Sequence, residues 1–68
     1  MNEIIFLIEE SLEGGYVARA LETSIHTEAD NLNALKDSIR DAVKCHFDEN
    51  ERPQIIRLHF VKDEVITL

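Results

Sequence analysis

The chain has 68 residues, 44% of them hydrophobic, and fourteen Asp and Glu against seven Lys and Arg give a formal charge of −7. That length allows a single domain, 1–68, with a small core, and domains of this size commonly lean on disulfides, a structural metal or a second subunit. The lone Cys45 excludes an internal disulfide and fits the reducing cytoplasm; the acidity disfavours direct nucleic-acid binding, because the few cations are scattered; and no apolar run nears the roughly 18 residues of a membrane span. No secretory leader is expected at the N-terminus.

In chain order, Ile4-Ile5-Phe6-Leu7-Ile8 is a short apolar run rich in β-branched residues, which predicts a first strand in the middle of a sheet. Gly14 and Gly15 supply the positive φ of a hairpin turn, and Tyr16–Leu21 returns as a second strand. After the polar break Glu22-Thr23-Ser24, the segment 25–29 reads as a third strand, with Ile25, Thr27 and Ala29 on one face and His26 and Glu28 on the other. Short links between these three imply an antiparallel meander.

From Asp30 the period lengthens. Leu32, Leu35, Ile39, Ala42, Val43, His46 and Phe47 recur at three- and four-residue steps, one stripe of an amphipathic helix capped by Asp30 or Asn31. The helix should fade near Glu49 and Asn50, before Pro53. Ile56, Leu58 and Phe60 then alternate with Arg57 and His59 as in a half-buried fourth strand. Beyond Lys62-Asp63-Glu64, the apolar residues Val65, Ile66 and Leu68 either continue that strand or turn back as a short fifth one.

The expected fold class is α+β: a small antiparallel sheet of β-β-β-α-β order with one helix on one face. One helix cannot cover all of this apolar surface. Phe60, Val65, Ile66 and Leu68 are therefore candidate residues of a homodimer interface, the remaining support for so small a core.

Candidate chemistry is sparse. Cys45 and His46 are neighbours on a helix, pointing about 100° apart, and form no dyad; the His46 ring should pack at the core or at a subunit contact. His26 and His59 could approach each other if the third and fourth strands were neighbours. With no C-x-x-C, H-E-x-x-H or acidic calcium loop, no metal and no cofactor are expected. Gly14 and Gly15 precede no helix start and close no phosphate-binding motif, and Ser11, Ser24 and Ser38 have no neighbouring base. Asp48, Glu49 and Glu51 crowd the helix end, either as a solvated loop or as a patch for a basic partner. The chain is not expected to be an enzyme.

The segment Glu13-Gly14-Gly15-Tyr16-Val17-Ala18-Arg19-Ala20-Leu21, with Ile25–Ala29, Asp30-Asn31-Leu32 and Ile39-Arg40-Asp41-Ala42-Val43, resembles the N-terminal domain of HicB-type antitoxins. The likeness extends over the whole chain to short stand-alone members, through Asp41–Glu49 and the tail Ile56–Ile66. The resemblance implies a sheet-and-helix fold with a partly RNase-H-like layout but none of that enzyme's catalytic site. It also implies homodimers, and in the full antitoxins the capture of a small basic RNA-cleaving toxin. The DNA-binding module of those antitoxins has no counterpart in residues 1–68. Short relatives sometimes carry the label of a 2-oxoisovalerate dehydrogenase subunit, but 68 residues cannot house that machinery. The expected function is a non-catalytic, antitoxin-like module acting as an acidic homodimer on a basic partner; the alternative is an orphan regulatory or structural dimer.

Overall fold

Ile4, Phe6 and Ile8 point to one side of an eight-residue strand, β1 (Glu3–Glu10), and are 0 to 2% exposed. The computed structural model, which describes residues 2–68, explains why this strand is so apolar: it has a hydrogen-bonded neighbour on each side. The chain turns through Ser11–Gly15, a five-residue loop rather than a tight two-residue turn. Within it the Gly14 N–H donates to the Ser11 carbonyl at 3.1 Å and the Ser11 N–H to the Gly15 carbonyl at 3.0 Å. Both glycines hold positive φ, 95° and 85°. A Cβ on Gly15 would sit 2.6 Å from the Ala29 carbonyl oxygen, so the loop lies directly against the third strand.

β2 (Tyr16–Ala20) pairs antiparallel with β1, setting Ala18 opposite Ile8 and Ala20 opposite Phe6. β3 (His26–Ala29) continues the antiparallel meander, with Thr27 opposite Ala18. The small side chains Ala18, Ala20 and Ala29 lie on the helix-bearing face, and α1 (Leu32–His46) makes its close backbone approaches to β3 and β2. Leu35, Ile39 and Val43, at four-residue steps, reach from the helix into the core. The helix begins at Asn31, whose Oδ1 accepts from the Ala34 N–H at 2.8 Å, the exchange that makes Asn a strong N-cap. At its other end Arg52 donates to the Lys44 carbonyl at 3.3 Å, placing a cation where the helix dipole is negative.

β4 (Ile55–Phe60) joins the far side of β1, completing the order β3-β2-β1-β4. Its pairing with β1 is parallel, Ile4 to Ile56 and Phe6 to Leu58. The α+β class and the β-β-β-α-β order hold, but the sheet is mixed where an antiparallel one was expected. The cause is the helix: it carries the chain back to the end of the sheet from which β1 and β3 both start, so the next strand runs in their direction. The open choice for the tail is resolved as neither option, because residues 61–68 form no strand.

Candidate functional site

Three surface regions stand out on this scaffold. The first is the end of the sheet where β1, β3 and β4 all finish. Glu9 and Glu10 close β1, Glu13 lies in the loop, Glu28 and Asp30 flank the end of β3, and Asp63 follows β4 beside Glu9 and Glu10. Six of the fourteen carboxylates thus gather at one end, joined by Lys62. Topology produces this: three strands running the same way bring residues far apart in sequence to a common rim.

The second region is the outer edge of β4. The Ile55 N–H donates to the Asn2 carbonyl at 3.0 Å and the Val61 N–H to the Ile8 carbonyl at 2.9 Å, so odd-numbered residues turn their backbone groups toward β1. By alternation, the N–H and C=O groups of Ile56, Leu58 and Phe60 face away from the sheet, toward the open edge. Phe60 is 53% exposed although its side chain lies on the helix-bearing face. Beyond it Val65, Ile66 and Leu68 are 84 to 126% exposed. The molecule measures 52 × 20 × 17 Å. All four residues expected at a subunit contact are therefore exposed apolar side chains in the single chain.

The third region is the groove between α1 and β4, lined by Lys36, Ile39, Arg40, Ile56 and Leu58. It exists because the helix backbone lies over β3 and β2, leaving the β4 side of this face thinly covered; Ile56 and Leu58 are only half-buried. Arg40 also pairs with Asp37 at 2.9 Å on the exposed helix surface.

Other residues marked by sequence are dispersed. His26 and His59 do not meet: β3 and β4 are opposite edges of the sheet, with Arg19 and Leu7 lying between the two histidines in one cross-strand row. His46 is exposed rather than packed in the core, its ring set edge-on to Phe47 at 4.9 Å, and it is Phe47 that packs against the core at this end of the helix. Cys45 is exposed, as are Asp48, Glu49 and Glu51. On the sheet face away from the helix, Glu3 and Arg57 form an ion pair across β1 and β4. Among the described residues no three His, Cys, Asp or Glu side chains group as metal ligands, and no helix is long and apolar enough to cross a membrane. Sequence reading missed the acidic rim and the groove, since both depend on strand order.

Fold and surface together define a small α+β module, a mixed four-stranded sheet with one helix, whose distinguishing features are an acidic rim and an apolar edge. The chain belongs to the UPF0150 family. It is 54% identical over 55 residues to a UPF0150 protein of Archaeoglobus fulgidus, covering 81% of this chain and 82% of that protein. With a UPF0150 protein of Thermotoga maritima it shares 44% identity over 67 residues, 98% of this chain and 94% of the relative. No family profile matches the chain, and no solved structure matches it.

Proposed function

We propose that this chain is a non-catalytic protein-binding module of the HicB-like, antitoxin type, a cytoplasmic acidic homodimer that binds a small basic protein and buries its working surface. The observation that carries the reading is the acidic rim: Glu9, Glu10, Glu13, Glu28, Asp30 and Asp63 gathered at one end of the sheet. Like charges held together on a rigid frame favour a partner of opposite sign and speed its encounter. The resemblance of the hairpin, helix and tail to HicB-type domains makes that partner a small basic RNA-cleaving toxin. An orphan structural or regulatory dimer is the second reading, favoured by the apolar β4 edge, which serves self-association without any toxin.

The test begins with the neighbouring reading frame. A small Lys- and Arg-rich protein encoded there should arrest growth when expressed alone, and co-expression of this chain should restore growth. A Glu10→Gln, Glu13→Gln, Glu28→Gln variant should bind it with an association rate at least about tenfold lower at low salt, the difference closing as salt screens the rim. A neutral neighbour, or a basic one that is harmless and does not bind, would favour the orphan dimer.

A further inference from the structure

We infer that the tail of one chain, residues 64–68, seats in the groove between α1 and β4 of a second copy, reciprocally, extending that copy's sheet along the open edge of β4. The inference rests on the homodimer reading above and names the surfaces that would make the dimer.

Two surfaces of the same chain match in chemistry. The tail presents Glu64 followed by Val65, Ile66 and Leu68, all exposed. The groove presents Lys36 and Arg40, the latter also paired with Asp37 on the exposed helix surface, beside the apolar Ile39, Ile56 and Leu58. Acidic-then-apolar meets basic-over-apolar. The backbone match runs alongside: the edge groups of Ile56, Leu58 and Phe60 lack a strand partner, and the tail is a segment with no strand partner of its own. Strand addition satisfies both with main-chain hydrogen bonds, while side chains pointing to the helix-bearing face fill the groove.

The occupant is a second copy rather than the chain's own tail because of what lies between. To fold back along its own β4, the chain would have to reverse within Lys62-Asp63-Glu64. Tight hairpin reversals favour Gly or Asn at positive φ, and no described residue other than Gly14 and Gly15 has positive φ. Residues 61–68 form no strand, and Val65, Ile66 and Leu68 stay exposed instead of lying along their own β4. A reciprocal exchange of identical tails closes under two-fold symmetry, so the apolar edge is used up and does not propagate.

The test is directed cross-linking of the full chain with Cys45→Ser as background. One chain carries Ile66→Cys, a second carries Arg40→Cys, and the two are mixed and joined with a short bis-maleimide. The expected result is a covalent product containing one of each chain, absent when Arg40→Cys is replaced by Glu49→Cys on the far loop. Sedimentation of the unmodified protein runs in parallel. A dimer in sedimentation without the mixed product would overturn the tail seat and leave the homodimer standing. A single chain carrying both substitutions that cross-links within itself would show the tail returning to its own groove, also against the inference. A monomer at all concentrations would remove the homodimer and this inference together.

Discussion

The two edges of this sheet are built differently, and the contrast shows which of them is left open. β3 is a four-residue strand closely approached by the helix, buttressed by the Gly15 loop, and its outward positions carry His26 and Glu28. Short length and charge are common ways of keeping an edge from pairing with another chain. β4 has six residues, lies away from the helix backbone, and carries Ile55 and Phe60, each 53% exposed, before an exposed apolar tail. One edge is protected and the other is presented. A domain with so few residues for its core gains by covering the second edge, and that need links the fold to the proposed dimer.

The largest difference between the two sides should appear in the core beneath the helix. Leu35→Ala removes a fully buried side chain that helps hold the helix to the sheet, and should cost about 2–5 kcal/mol in chemical denaturation. A loss well under 1 kcal/mol would mean that the helix-covered side is not where stability resides. Next comes the loop that supports β3. Gly14→Ala meets no atom within 4 Å and should cost about 1–2 kcal/mol for its positive φ alone; Gly15→Ala should cost more, since its Cβ would press on the Ala29 carbonyl. Equal losses would show that the loop does not bear on β3. The smallest effect belongs to β4: Phe60→Ser should change the stability of the dilute single chain by about 0.5 kcal/mol or less, while weakening self-association measured by sedimentation. A large loss of stability in the monomer would erase the contrast between the edges.

What the sequence disclosed follows from the range of the interactions. The central β1, the glycines of the hairpin, the Asn31 cap and the Leu35-Ile39-Val43 stripe are written in residues a few positions apart, and each appears in the structure. Strand order is not local. The parallel pairing of β4 with β1 depends on where the helix deposits the chain, so the all-antiparallel expectation failed there, and the meeting of His26 with His59 failed with it. His46 fits the helical period, yet periodicity does not tell that the neighbouring Phe47 takes the place against the core. The tail was undecidable in sequence for a related reason: its apolar residues find no cover among the described residues of the chain.

The most direct test of the presented edge is amide hydrogen exchange at Ile56, Leu58 and Phe60, whose N–H groups face outward, compared with His26 and Glu28. The latter pair face outward from β3, because the Ala20 N–H bond to the Ile25 carbonyl sets the alternation on that strand. Exchange at the β4 amides should be slow at high protein concentration and quicken on dilution, while the β3 pair exchanges fast throughout. Fast exchange at Ile56, Leu58 and Phe60 at every concentration would contradict the account, since an edge paired with a second copy must protect them.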